Sequence, residues 1–337
     1  MSAQQGTTPV SRQPVRHPLR SLTTDYGLIL VLIAVVLAFS ILRPSTYFTV
    51  NNLQMIASTN AVLAMLALAA VPPLVTGQFD LSIGFQLALA QSLAASLIID
   101  QGLSPALASA VVIGLGLLIG LANGLLVAYG GLNAFITTLA TGILLQGASQ
   151  LVTNGESIFG QMPAWWLSLG RSEAWALPLP IVYVVVACAL LWLALEYTSW
   201  GRRCFAVGGN ARAALLVGIP VKAITVQSFV LAGALCSVAG LLSTSILGSA
   251  NPNIGASYML PAFAAVFLGA TSIRPGRFNA WGTVIAVYAL AAGIDGLQQF
   301  GAPFYIEQFF NGGALLLAIS LAKLAGWRRA KKPAEPR

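Results

Sequence analysis

The chain has 337 residues, of which 57% are hydrophobic and only 8% charged, and its mean hydropathy is +0.83. A soluble globular protein carries about 25% charged residues, so a water-soluble fold could not cover its surface here, and disorder needs the opposite composition. The net charge of +8 does not point to nucleic acid, because the basic residues flank apolar runs instead of forming a basic and aromatic face. The expected fold is all-α, a polytopic transmembrane helical bundle.

A helix crosses a bilayer with about 20 mostly apolar residues, because backbone polar groups in lipid must be satisfied within the segment. Residues 1–24 are polar, contain Pro9, Pro14 and Pro18, and read as an N-terminal tail. The first apolar run, Tyr26 to Leu42, is followed by Arg43-Pro44. No small-residue cleavage site follows it, so it reads as a first span and not as a signal peptide. Further runs occupy approximately 53–71, 81–99, 105–128 and 132–152. A loop at 153–177 holds Trp165, Trp166 and Trp175, and spans follow at approximately 178–197, 223–247, 258–273, 279–298 and 304–322. Residues 324–337 form a basic C-terminal tail.

Ten spans place both termini on one side. With that side cytoplasmic, only Arg43 and Arg171 fall outside, leaving 15 of the 17 basic residues inside, as the positive-inside rule requires. The loop at 153–177 is then external, and its tryptophans suit the headgroup layer. The stretch from Glu156 to Trp166 is expected to form a short helix on the outer surface.

Several chemistries are poorly supplied. The single histidine, His17, lies in the polar tail, which leaves no histidine triad or histidine metal cluster in the body. Cys188, Cys204 and Cys236 lack CxxC spacing and read as small apolar residues. No Gly-Lys pair occurs, so a phosphate loop is absent; any nucleotide hydrolysis belongs to another chain. Gly116, Gly120 and Gly124 share a helical face by their spacing of four, which suits close helix packing.

Polar groups within spans are functional candidates. Pro72-Pro73 are expected to break the second helix, with Asp80 and Ser82 capping the start of the third. Asn123 and Asn133 flank the turn between the fourth and fifth spans, while Gln146 and Gln150 share a face. Asp295 and Glu307 lie toward the outer side of the last two spans. Polar groups of this kind commonly make interhelical hydrogen bonds.

The loop 198–222 differs in character. Gly208-Gly209 permits a sharp turn, Asn210 can cap a short helix over Ala211 to Val217, and Gly218 can end it before Pro220. So short a helix is marginal alone and carries alanine and leucine outside the bilayer, which suits docking to a cytoplasmic partner.

This loop, Thr198-Ser199-Trp200-Gly201-Arg202-Arg203 through Ala206-Val207-Gly208-Gly209-Asn210 to Gly218-Ile219, resembles the coupling region of ribose-type sugar permeases of bacterial ATP-binding-cassette importers. Gly77 to Gly84, residues 120–142 with Asn123-Gly124, Asn133-Ala134-Phe135-Ile136 and Thr138-Leu139, and residues 255–284 resemble the same family in the same order. Departures are Gln78 for a glycine, Met259 for a glutamate, Ala270 for a glycine, Arg274 to Phe278 for a glycine-rich turn, and Asp295 for an asparagine.

The resemblance implies a permease domain over 25–323 in the bacterial inner membrane, with cytoplasmic tails. Its coupling loop, 198–222, would be cytoplasmic, and the loop 153–177 periplasmic. The implied partners are cytoplasmic ATPase subunits, a second permease subunit and a periplasmic solute-binding protein, with ATP used by the ATPases and no cofactor or metal on this chain. The coupling residues would be Gly208, Gly209, Asn210, Ala213, Ala214, Gly218 and Ile219. The path or gate would involve Asp80, Ser82, Asn123, Asn133, Phe135, Asp295 and Glu307. The solute would be a ribose-like monosaccharide and the chain not an enzyme; alternatives are a non-sugar solute of the same importer class or a stand-alone secondary transporter.

Overall fold

The computed structural model describes residues 26–174 and 177–330. The tail 1–24, Trp175 and residues 331–337 lie outside the described residues. In chain order the helices are α1 (Gly27–Leu42), α2 (Val50–Thr59), α3 (Ala61–Val75), α4 (Ile83–Ala95), α5 (Pro105–Ala128) and α6 (Ala134–Thr153). Then come α7 (Ala164–Arg171), α8 (Leu179–Tyr197), α9 (Ser199–Gly209), α10 (Ala211–Leu216) and α11 (Val221–Leu247). The chain continues with α12 (Gly255–Gly269), α13 (Ala280–Gln299) and α14 (Ile306–Ala330). Strand structure among the described residues is confined to two antiparallel two-residue pairings, β1 (Ile158–Phe159) with β4 (Ser249–Ala250) and β2 (Glu173–Ala174) with β3 (Leu177–Pro178).

Among the described residues, six helical segments are long and apolar enough to cross a membrane: α4 with its continuation to Asp100, α5, α6, α8, α11 and α13. The pair α2 and α3, bent by 41°, makes a seventh if it is one span. The protein is a multi-pass membrane protein built as an all-helical bundle.

Four local features differ from the sequence expectation. The second span is not one straight helix, because it bends at Asn60, whose Nδ2 donates to the Ile56 carbonyl at 3.0 Å and so competes with the backbone ladder. Pro72-Pro73 do not stop the helix where they stand. They sit in the last turn of α3, where Thr76 N–H closes onto the Pro72 and Pro73 carbonyls at 3.3 and 3.1 Å, so the helix runs on through the prolines and ends at Val75. The third span ends in a π-helical turn, Ser96–Asp100. The outer surface helix begins at Ala164, behind Pro163, and not near Glu156, because Ile158–Phe159 is drawn into pairing with Ser249–Ala250.

The core is organised around α11, which packs along α5, α3 and α4. The glycine face read from the sequence lies in that contact. A Cβ on Gly116 would come 2.6 Å from the Gly233 carbonyl oxygen, one on Gly120 2.9 Å from Val230 Cα, and one on Gly124 2.8 Å from Val226 Cα. On the other side of α11, a Cβ on Gly240 would stand 2.8 Å from the Leu87 carbonyl oxygen. Cys188, Cys204 and Cys236 are buried as free thiols among these apolar side chains.

Inter-element contacts sort the loops to two ends of the bundle. At one end Gly77 meets Gly208, Lys222 lies 5.2 Å over the Tyr129 ring, Arg277 lies 3.9 Å over the Phe205 ring, and Arg274 pairs with Glu196. At the other, β1 pairs with β4, Arg171 Nε donates to the Ile246 carbonyl at 2.9 Å, and Gln146 and Gln150 both reach Asn253.

Replacing a glycine on the α5–α11 contact should overpack it, at a cost of about 1–3 kcal/mol or more. Gly120→Leu is expected to lower the melting temperature in mild detergent clearly. Gly114→Leu, where a Cβ would meet nothing within 4 Å, should leave it near wild type. Equal melting temperatures for the two variants would refute the packing account.

Candidate coupling and gating site

The segment joining α8 to α11 folds as two helices at an elbow. Thr198 opens α9, its Oγ1 accepting from Gly201 N at 3.2 Å. Asn210 then serves both helices: its N–H closes α9 onto the Ala206 carbonyl at 3.1 Å, and its Oδ1 accepts from Ala213 N at 3.0 Å to cap α10. Gly218, at φ +81°, ends α10, and Ile219 N returns to the Ala214 carbonyl at 3.0 Å. That φ is open to glycine at little cost. Ala213 is exposed and Ala214 is buried, while Leu215, Leu216 and Val217 are 64%, 88% and 75% exposed. The cap, the short helix and its stop follow the sequence expectation.

Gly208-Gly209 do not make the expected sharp turn. They are the last two residues of α9, and Asn210, in extended conformation, makes the elbow. What Gly208 supplies is close approach: a Cβ there would run into the Val75 carbonyl oxygen and stand 3.3 Å from Gly77 N. The end of α9 therefore rests on backbone at the end of α3.

Just beyond that contact lies the connection from α3 to α4. Gly77, at φ +80°, turns the chain, and Asp80 and Ser82 are buried behind it. Ser82 donates to Asp80 Oδ1 from its N at 3.0 Å and from its Oγ at 2.5 Å. Asn123 Nδ2 of α5 donates to Ser82 Oγ at 2.9 Å, and Leu81 N donates to Thr138 Oγ1 of α6 at 2.9 Å. Thr76 and Ser228 hydroxyls are 3.2 Å apart, tying the same connection to α11. Asn123 Oδ1 is buried with no hydrogen-bond partner among the described residues.

Asp80 was expected to act as a helix cap. The cap position of α4 is Ser82, which makes no side-chain cap bond; Asp80 instead holds Ser82 two residues on and fixes the connection itself. Phe79, 41% exposed, stacks 6.1 Å from Phe267 of α12, whose ring meets Phe278 edge-on at 5.5 Å. The loop 270–279 is thus linked to the same connection, and Arg277 links it to Phe205 of α9. Within it Ile273 adopts φ 63°, a strained conformation for a β-branched side chain.

The remaining candidates do not join this cluster directly. Asn133 caps α6, its Oδ1 accepting from Ile136 N at 3.2 Å, and Phe135 is 51% exposed on the same turn. Asp295 Oδ2 accepts from Asn52 Nδ2 at 3.0 Å and from Gln299 Nε2 at 2.9 Å, holding the start of α2 to the end of α13. Beside it, Tyr47 donates to the Ala292 carbonyl at 2.8 Å. Burial first, and the Asp295 carboxylate second, push the Tyr47 phenol up to about 12. Glu307 is exposed on the first turn of α14. Sequence reasoning gave no role to Thr138 and Phe79, although both lie in the stretches that carry the resemblance, and missed Thr76 and Ser228, hydroxyls whose partners are distant in sequence.

Two helices meeting at an elbow, resting on a buried polar connection between spans, define a membrane protein with a solvent-side element mechanically joined to its core. Comparison with known proteins agrees. Residues 52–319 match the family model described as branched-chain amino acid transport system / permease component, and the chain belongs to this family. The ribose import permease protein of Bacillus subtilis strain 168 is 37% identical over 296 residues, covering 88% of this chain and 91% of that one. The D-allose transport system permease protein of Escherichia coli K12 is 28% identical over 300 residues, covering 89% and 91%. The autoinducer 2 import system permease protein of Salmonella paratyphi A is 28% identical over 308 residues, covering 90% and 92%. No solved structure matches.

Removing the Asp80 carboxylate would leave the Ser82 N–H and hydroxyl unpaired in a buried site, at about 1–3 kcal/mol for each such group. Asp80→Ala should therefore lower the melting temperature in detergent and the yield of folded protein, with Asp80→Asn recovering most of both. An Asp80→Ala protein as stable as wild type would show that the connection does not depend on this carboxylate.

Proposed function

We propose that this chain is the membrane-spanning permease subunit of an ATP-binding-cassette importer in the bacterial inner membrane, and that it translocates a ribose-like monosaccharide. The observation that carries this reading is α10. Its exposed Leu215, Leu216 and Val217 offer an apolar tip for a partner, and α9 connects that tip to the α3–α4 connection through the Gly208 contact. The identity to a ribose import permease, 37% against 28% for the autoinducer 2 relative, favours a monosaccharide.

Ten spans fit the helices: the six long segments, the bent α2–α3 pair, the shorter apolar helices α1 and α12, and α14. With ten, both tails are cytoplasmic. Arg202, Arg203, Arg212, Lys222, Arg274 and Arg277 then lie at the cytoplasmic end, which is supported by the loop contacts gathered there. The permease domain covers 25–323, with 198–222 as the coupling loop and 153–177 facing the periplasm.

A cytoplasmic ATPase seats on α10, using Asn210, Ala213, Ala214, Gly218 and Ile219 as the shape of the element and Gly208 and Gly209 as its link to the spans. ATP is bound and hydrolysed on that partner, and closure of two ATPases pushes the elbow. Because Gly208 rests on the Val75 carbonyl, the push reaches the connection holding Asp80, Ser82 and Asn123, where gating occurs. A second permease subunit completes the path, and a periplasmic binding protein delivers the sugar. This chain makes and breaks no covalent bond.

Leu216→Asp tests the coupling role at a residue with little folded contact. Uptake of labelled D-ribose by whole cells should fall at least tenfold while membrane insertion and melting temperature stay unchanged. Uptake at the wild-type rate would remove α10 as the docking element.

A further inference from the structure

Helix α6 presents most of its circumference outward, and that outer surface is not uniformly apolar. Gln150 is exposed and Gln146 half-buried, and both donate to Asn253 Oδ1, at 3.2 and 3.3 Å. Gln146 lies seven residues before the end of α6 at Thr153, about 10 Å along the helix axis from its outer end. Asn253 stands in the turn ahead of α12, exposed, with its N–H held by Asn251 Oδ1 at 2.9 Å. Further along α12, Ser257 is exposed, and Glu307 is exposed on α14, which packs along α12.

Helix α8 exposes only apolar residues along its length, Val185, Val186, Leu190 and Leu193, with Tyr197 at its end, the composition of a lipid-facing surface. Helix α6 also exposes Ile143, Leu144 and Leu151, so its polar groups form a stripe near its outer end and not a wholly polar face. Amides turned to hydrocarbon would each cost kilocalories, so the stripe of Gln146, Gln150 and Asn253 meets something polar. The bonding pattern agrees. Asn253 Oδ1 takes both glutamine donors, and Gln146 Oε1, Gln150 Oε1 and Asn253 Nδ2 have no partner among the described residues. Two acceptors and one donor group remain on three amides that meet at Asn253 Oδ1, and amides suit hydroxyls, which both donate and accept.

We propose that Gln146, Gln150 and Asn253 line the outer half of an aqueous translocation path and hydrogen-bond the hydroxyls of a polyhydroxylated solute as it enters. Glu307 continues that lining on α14. The class of solute rests on the importer reading above, whereas the aqueous lining does not. In this arrangement the three amides select by hydroxyl geometry, while the buried connection at Asp80, at the opposite end of the bundle, governs passage.

Cysteine accessibility tests the lining in the full chain in its own membrane. The native Cys188, Cys204 and Cys236 are fully buried, so introduced thiols can be read against a quiet background. A charged, membrane-impermeant methanethiosulfonate added outside should label Gln150→Cys and Gln146→Cys at least tenfold faster than Leu190→Cys on α8. Gln146→Leu and Gln150→Leu should also lower labelled D-ribose uptake about fivefold or more at unchanged protein level. Labelling of both glutamine positions no faster than Leu190→Cys would overturn the lining, and full uptake by both leucine variants would overturn the sugar contact. Wild-type cells that take up no D-ribose would refute the sugar reading alone, because labelling still decides the lining.

Discussion

Close approach of backbone to backbone at glycine is the constraint on which this structure depends. Between helices in lipid, apolar surface supplies no net drive to associate, so packing must come from contact and from interhelical hydrogen bonds. Here Gly116, Gly120 and Gly124 bring α5 onto α11, Gly240 brings α11 onto α4, Gly84 meets Gly255, and Gly269 meets Gly282. At each site an added Cβ would overlap the neighbouring helix. Helix α11 therefore lies directly on both α5 and α4, and buried hydroxyls such as Ser237, which donates to the Val112 carbonyl at 3.1 Å, find partners across the narrow gaps.

The same device recurs at the coupling end. Gly208 lets α9 lie directly on the Val75 carbonyl, with no side chain between to absorb displacement. The connection it touches is braced by Asp80, Ser82, Asn123 and Thr138 and by the Phe79–Phe267 stack. A force on α10 would thus act on a buried polar unit shared by α3, α4, α5, α6 and α12. Helix α10, six residues long with an apolar tip, is too short to be stable by propensity alone and takes its shape from the Asn210 cap and the Gly218 stop.

Much of this was legible in the sequence, for identifiable reasons. Long apolar runs located α5, α6, α8 and α13 to within about two residues; Ser104, Asn133 and Asn279, each accepting from the helix it opens, set three of those starts. The glycine face of α5 followed from spacing, and the α10 cap and stop from Asn210 and Gly218. Less legible was anything set by a distant partner. The pairing of Ile158–Phe159 with β4 and the Thr138 contact depend on tertiary neighbours. Gly208 was read as a turn residue because sequence shows that a glycine is present, not whether it serves conformation or proximity. Asp80 was placed near the start of a helix correctly, yet its bonds fix the preceding connection.

The central claim is that this chain is one part of an ATP-driven assembly joined through α9 and α10. Its most direct test is affinity purification from native membranes in mild detergent, with quantitative mass spectrometry of the proteins retained. The account predicts an ATPase subunit bearing a phosphate loop, recovered in a 1:1 ratio with permease chains. A chain that purifies alone and still moves solute across liposomes without ATP would contradict it.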